Sequence, residues 1–556
     1  MKTKLLIFSI IIHFNCLNLS SAQTPSWVWA KSEGGSNYEF VPYITNDLAG
    51  NLIATGNFAS PTINFGSTTL VNHSNAGFTD IYIVKYSPTG SVIWAKSAGG
   101  IRNDDPAAIA TDASGNLIIV GYFESPSLTF DNITLLNPNT GRDLFVVKYD
   151  STGTVLWAKS AGGIGNDVAN SVSIDAFGNI IVAGYFSCPT IALGSTTLTN
   201  SSNAGLSDIF IAKFDQSGIS LWAISAGGSN GDGANSITID KSGNIIVVGY
   251  FESSTISFNS ITLTNSYAGT EMFIAKLDTS GTFLWASSAV GNYYDAATSV
   301  ACDSDGNIIV VGYFYSSSIS FGNTVLTNSN VNNSDMFIVK YDASGNFIRA
   351  NSYGGFANDD NPFSVVTDAF GNFVVVGYFY SSTLAFGNTI LSNAGYVDMF
   401  ISKFDTSGNV LWAKSTGGSG HDFATSVSID SWGNTFVAGY FESPSISFGA
   451  ISVINSGSYD MFIAKLDNST GINDMNEFCK FEINPNPFES QTTINFKYEQ
   501  INSNVQLFDI IGNEIKAINF TGNQYILEKR NIQPGIYFLH VSNRKNNIAS
   551  KILIIE

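Results

Sequence analysis

Seven acidic side chains recur at one place along this chain: Glu39, Asp104, Asp167, Asp232, Asp295, Asp360 and Asp422. Each lies in or beside a polar, mostly Gly-rich loop such as GGIGNDVANS. Seven carboxylates around one mouth could hold a hard cation, since Ca²⁺ takes several oxygen ligands. A residue present in every repeat also suits a structural part, because Asp can bond the backbone N–H groups of its own loop. One acid per repeat stands too far from its ring neighbours to make a compact site. The pattern therefore favours the structural role, and no metal ligand, cofactor-binding residue or catalytic residue is assigned.

Seven lysines also recur, at Lys85, Lys148, Lys213, Lys276, Lys340, Lys403 and Lys465. They are expected to pair with nearby turn aspartates, their stems lying along apolar neighbours. Few residues break the repeat. Arg102, Arg142 and Arg349 occupy three different repeat positions, so they do not form the arginine cluster that cleavage of an anionic sugar would want. His73 and His421 lie in different kinds of loop and share no metal-ligand spacing. Cys188, Cys302 and Cys479 suggest neither a metal site nor a disulfide framework. With no phosphate loop or nucleophile motif, the chain is read as not an enzyme.

The elements that position these residues follow from a period. The Trp-Ala words fall at Trp29, Trp94, Trp157, Trp222, Trp285 and Trp412, with Arg349 in the remaining place, at intervals of 63–65 residues. Such regularity marks a repeat architecture. One unit reads NSVSID, a Gly turn, IIVAGYF, a long connector, DIFIAKFD, a second Gly turn and ISLWAISAGG. These are four short strands joined by tight turns. The seventh unit lacks its fourth strand, and a spare copy, SWVWAKS, stands near the N-terminus. The expected fold is all-β: a seven-bladed β-propeller closed by an N-terminal velcro strand, followed by a small C-terminal β-sandwich.

The chain opens with MKTKLLIFSIIIHFNCLNLSSAQ, which reads as a secretory signal cut between Ala22 and Gln23. The expected segments are a signal peptide over 1–22, the propeller over 23–470, a linker over 471–478 and a tail domain over 479–556. No segment of the mature chain suits a membrane crossing. A net charge of −19 disfavours nucleic acid as a partner.

The words D-x-x-G-N and V-x-G-Y-F resemble those of the seven-bladed β-propeller repeat (SBBP-like) family of bacterial secreted proteins, over about residues 27–467. The tail words NPNPF (484–488), LFDIIGNEI (507–515), PGIYFLHV (534–541) and KILI (551–554) resemble the type A C-terminal sorting domain of the type IX secretion system in Bacteroidetes. That resemblance implies export through the periplasm and handling by the type IX machinery. It also implies removal of the tail and release or attachment at the outer cell surface. The expected role is a binding or adhesion module for a glycan or a surface protein. A scaffold without a dedicated ligand is the first alternative, and a polysaccharide hydrolase or lyase the second. The long connectors, rich in Ser, Thr and Asn with interspersed Phe and Tyr, are the expected docking surface; their other reading is shielding of sheet edges.

Overall fold

The computed structural model describes residues 25–467, apart from 75–76, 203–204, 268, 331 and 356–358, and residues 481–555, apart from 510–512 and 543–547. The leader with its Ala22–Gln23 bond, Cys479 and residues 471–478 lie outside the described residues. Every regular element described is a strand. The chain divides into two units, one of them Ser26–Asn468.

That unit holds seven four-stranded antiparallel arrangements, with the second and third linked by a short parallel pairing of Gly141 and Arg142 with Gly165 and Asn166. The fourth is representative: Asp232–Ile239, Ile245–Phe251, Glu271–Leu277 and Phe283–Ser288 pair in chain order. Its second strand, IIVVGYF, and third, EMFIAKL, are almost wholly buried, because both have strand neighbours and other sheets above and below. The first strand carries a bulge, with Asn235 as the extra residue between Ala234 and Ser236. The bulge presses on the second strand at the glycine of VGYF: a Cβ on Gly249 would lie 2.0 Å from the Gly233 carbonyl oxygen. The same bulge recurs in the first strand of every sheet. It explains why V-x-G-Y-F recurs with it.

The last sheet is completed from the other end of the unit. Asp422–Ile429, Thr435–Phe441 and Asp460–Leu466 are joined by Trp27–Glu33, with Trp29 opposite Lys465, Ala30 opposite Ala464 and Glu33 opposite Met461. The Trp29 indole N–H donates to the Pro88 carbonyl in the first sheet at 3.3 Å. Trp157 and Trp222 reach the next sheet's turn in the same way, at Gln216 and Thr279. Arg349 does so too, its Nη1 donating to the Ser407 carbonyl at 2.6 Å. The first strands of all seven sheets line common cavities of about 330 Å³, which places these strands innermost and the Trp-bearing strands outermost.

Each long connector folds into a hairpin of two four-residue strands, as in Thr255–Phe258 with Ile261–Thr264. The hairpins pack against the outer strands of their own and, mostly, the preceding sheets. Phe65, Phe130, Phe258, Phe321, Phe386 and Phe448 are buried there, each contributing about 1.5–3 kcal/mol by leaving water. The expected docking surface is corrected for the hairpins alone, whose phenylalanines are core and cover the sheet margins, whereas Tyr396, at a connector's end, stays exposed. In the third sheet Leu193 stands where the other six hairpins carry Phe, beside an apolar cleft of about 570 Å³.

The tail forms one five-stranded sheet from Phe481–Asn484, Gln491–Phe508, Glu514–Glu528, Gly535–Ser542 and Ile548–Ile555. Two separate sheets were expected. The long strands Gln491–Phe508 and Glu514–Glu528 instead stay paired through irregularities between Asn495 and Ser503, so one ladder serves both halves. Phe481, Ile494, Leu507, Leu539 and Leu553 lie in its core.

Candidate functional site

The seven recurring acids are all buried, each opening an inner strand or lying two residues into it. Their carboxylates accept from their own loops and from the start of the hairpin connector. Asp232 takes the Gly228 N–H at 2.8 Å and the Ser253 hydroxyl at 2.8 Å. Asp360 and Asp422 repeat this with Gly355 and Ser381, and with Gly418 and Ser443. Glu39 takes the Gly35 N–H, Asp104 the Ser125 hydroxyl and Asp295 the Ser316 hydroxyl. In the third sheet Cys188 replaces the serine and gives Asp167 its backbone N–H.

Each of these acids has a second acid beside it, from the third strand of the preceding sheet. The pairs are Asp460 with Glu39, Asp80 with Asp104, Asp143 with Asp167, Asp208 with Asp232, Glu271 with Asp295, Asp335 with Asp360, and Asp398 with Asp422. Burial first, then the neighbouring acid in several pairs, drives these carboxyls up: Glu39, Asp104 and Glu271 to about 7, and Asp143, Asp232, Asp295, Asp360 and Asp398 to about 6. At the second junction of this kind a Cβ on Gly162 would lie 2.2 Å from Asp143 Oδ1 and 3.0 Å from Asp167 Oδ2, so glycine backbone packs against both carboxylates. Among the described residues no three His, Cys, Asp or Glu side chains come together as a metal site.

The lysines lie at the opposite ends of the strands, against the first turn of their own sheets. Lys85–Asp47, Lys148–Asp112, Lys213–Asp175, Lys276–Asp240, Lys340–Asp303 and Lys403–Asp368 are 2.8–3.2 Å apart, and Lys465–Asp430 is 4.0 Å. The two histidines have separate partners. His73 pairs with Asp80 at 2.7 Å, whereas His421 stacks on Tyr396 and lies 3.9 Å from Glu442.

His421 belongs to a feature that motif reading passed over. A continuous run of rings crosses from the sixth sheet through the seventh to the first: Phe363, Tyr378, Phe423, Tyr440, Phe40 and Tyr38, with successive centroids 4.9–5.3 Å apart. Tyr380, His421 and Tyr396 branch from it on one side and Tyr459 on another. Tyr396 is 69% exposed, Tyr38 45% and Phe363 38%. Phe363 and Tyr440 also line the end of the central cavity, with Tyr43. The second sheet is different at the same level. There Arg142 donates to Glu124 and lies 4.2 Å over the Tyr122 ring, while Tyr122 and Asn57 both donate to Asp105. The signal for this asymmetry was in the sequence: the residue after each G-x-F word is Ala59, Glu124, Ser187, Glu252, Tyr315, Tyr380 or Glu442.

Comparison with known proteins places the C-terminal part first. Residues 482–556 match the family described as the secretion system C-terminal sorting domain. The protein is thus exported by the type IX secretion system and held at the cell surface or released, and among the described residues there is no helix long and apolar enough to cross a membrane. Among curated proteins it is 25% identical over 563 aligned positions to an uncharacterised WD repeat-containing protein of Acanthamoeba polyphaga mimivirus, covering 84% of this chain and 40% of that one. It is 28% identical to the regulatory protein FlaEY of Caulobacter vibrioides, over 33% of this chain and 19% of that one. The chain therefore spans less than half the length of these curated relatives.

Among solved structures, a fungal alcohol oxidase in complex with copper is 13% identical, with a TM-score of 0.41, over 96% of this chain and all of that one. PorZ, a surface component of the type IX secretion system of Porphyromonas gingivalis, is 11% identical, with a TM-score of 0.31, over 93% and 70% of the two chains. One expectation is corrected here. The chain was read as not an enzyme, yet its structural neighbours include enzymes, the alcohol oxidase among them, so that exclusion is withdrawn. At these TM-scores the likeness assigns no activity to this chain.

Proposed function

We propose that the seven sheets are the blades of a closed β-propeller of the SBBP-like kind, with Trp27–Glu33 as the closing strand. Its ring-bearing face binds an extracellular ligand, glycan or protein. The signal peptide ends at Ala22, the propeller runs over 23–470, and a short linker leads to the sorting domain at 479–556. That domain is the part handled by the type IX machinery.

One observation carries the binding reading: on one sector of one face Phe363, Phe423, Phe40 and Tyr38, rings that most repeats lack, join the recurrent Tyr378 and Tyr440 into one aromatic run. A scaffold without a ligand needs only the residues that build each sheet, and those recur in all seven. Half-exposed rings also occur at Tyr267, Tyr293 and Tyr294, but a run of contacting rings across three adjoining sheets serves no sheet in particular, and exposed non-repeating residues on a rigid frame are where binding is expected. The test is retention of the purified full chain on surfaces coated with extracellular polysaccharides or with surface proteins. Retention on at least one class is expected, and retention on neither overturns the reading.

A further inference from the structure

The loops and strand ends that build the aromatic run are chemically selective. They span residues 34–43, 354–355, 359–364, 376–382, 392–398, 417–424, 439–445 and 455–460, and contain no Lys and no Arg. They also contain no Leu, Ile or Met. What they offer is flat rings, phenol hydroxyls and a few acidic groups, chiefly Glu442 and Asp359, with His421 between two rings.

That composition discriminates between ligand classes. Phosphorylated or sulfated ligands and polyuronates need cationic partners, and here they would meet only carboxylates. Protein interfaces anchor on Trp, Tyr and Arg, and of these the sector offers Tyr alone, while lipid surfaces draw on aliphatic burial and basic groups, which it lacks. A sugar ring presents an apolar C–H face to an aromatic ring and a rim of hydroxyls that donate to carboxylates and phenol oxygens. A row of rings about 5 Å apart, exposed at both ends, suits an extended chain more than a single compact molecule.

We infer that the sector from Phe363 to Tyr38 binds an uncharged polysaccharide, its sugar rings stacked along the aromatic row and its hydroxyls held by Glu442 and the phenols. This rests on the binding reading above and names the ligand class for it. Tyr380 and Tyr396 flank His421 on a branch beside Tyr378 and Phe423, and Arg142 in the second sheet lies outside the site.

The experiment is affinity electrophoresis of the full chain in gels containing neutral polysaccharides (a β-glucan, a mannan, a xylan) or anionic ones (alginate, chondroitin sulfate). Retardation by at least one neutral polymer is expected, and by neither anionic one. The Tyr380→Ala/Tyr396→Ala variant should bind about tenfold more weakly, with its melting temperature preserved. Should the double variant melt early, Tyr396→Ala alone, at the most exposed ring, should still weaken binding about threefold. Arg142→Ala should bind as the parent does. Retardation by anionic polymers only, or neutral binding indifferent to the tyrosine variants, overturns the inference. Retention on protein-coated surfaces without any glycan binding overturns it too, but leaves the broader binding reading standing. Retention on nothing overturns both.

Discussion

Lys276 shows how one residue ties two sheets together. Its ammonium lies 2.8 Å from Asp240 in its own sheet, with both side chains 5% exposed, and donates at 2.7 Å to the Ala343 carbonyl in the next sheet. Burial alone would raise the Asp240 carboxyl, but Lys276 and Asn244 outweigh it and hold the group below its usual range. Lys276→Met keeps the stem and removes the charge, leaving Asp240 buried without its cation. The expected cost is about 3–5 kcal/mol, read as a lower midpoint in urea; an unchanged midpoint would mean the pair adds nothing. The lysines and turn aspartates were legible in the sequence because each recurs once in every repeat, beside the same strand words. The aromatic site was not, because Tyr38, Tyr396 and His421 each belong to a different loop and none forms a motif alone. Only the packing of the last sheet against the first brings positions about 400 residues apart, such as Phe40 and Tyr440, to 5.3 Å.

At the scale of the strand, the informative element is Trp27–Glu33. It covers the outer edge of Asp460–Leu466, and its Trp29 reaches the first sheet as other outer tryptophans reach theirs. An uncovered edge offers free N–H and C=O groups to another chain. Deleting residues 23–33 should therefore lower the melting temperature and promote association, seen by light scattering, and adding a Trp27–Glu33 peptide in trans should reverse both. A deletion variant that melts like the parent and stays monomeric would remove the closing role proposed for this strand. A count of strand words points to a missing fourth strand and a spare copy, and Trp27–Glu33 does pair with Asp460–Leu466. The same counting misjudged the hairpin phenylalanines of the connectors, because Phe in a Ser/Thr-rich hairpin reads alike whether it faces water or fills the gap between sheets. It also misjudged the tail, where the two long strands carry no word that says whether one ladder or two will form.

Over the whole molecule the dominant electrostatic feature is the set of seven buried acid pairs between sheets. An ordinary carboxyl loses its proton near pH 4 in the unfolded chain, whereas Glu39, Asp104 and Glu271 hold theirs to about 7 in the fold, and Asp143, Asp232, Asp295, Asp360 and Asp398 to about 6. Between those limits the folded state binds more protons than the unfolded one, so stability falls as pH rises from about 4 to about 7 and then levels. The lysine-paired aspartates act in the other direction. Asp47, Asp112, Asp175, Asp240, Asp303 and Asp368 have lowered carboxyl values, so their contribution is lost as pH falls below about 4. The two sets together place maximum stability in mildly acidic solution, and the melting temperature should be several degrees higher at pH 5 than at pH 8. Asp143 isolates the cause, since its Oδ1 has no hydrogen-bond partner and its value is raised by burial and then by Asp167. Asp143→Asn keeps the shape and removes the charge, so the variant should lose part of the difference between pH 5 and pH 8 and melt no lower than the parent at pH 8. A parent protein that melts higher at pH 8 than at pH 5 would show that the acid pairs are held ionised by donors beyond those seen at the sheet junctions.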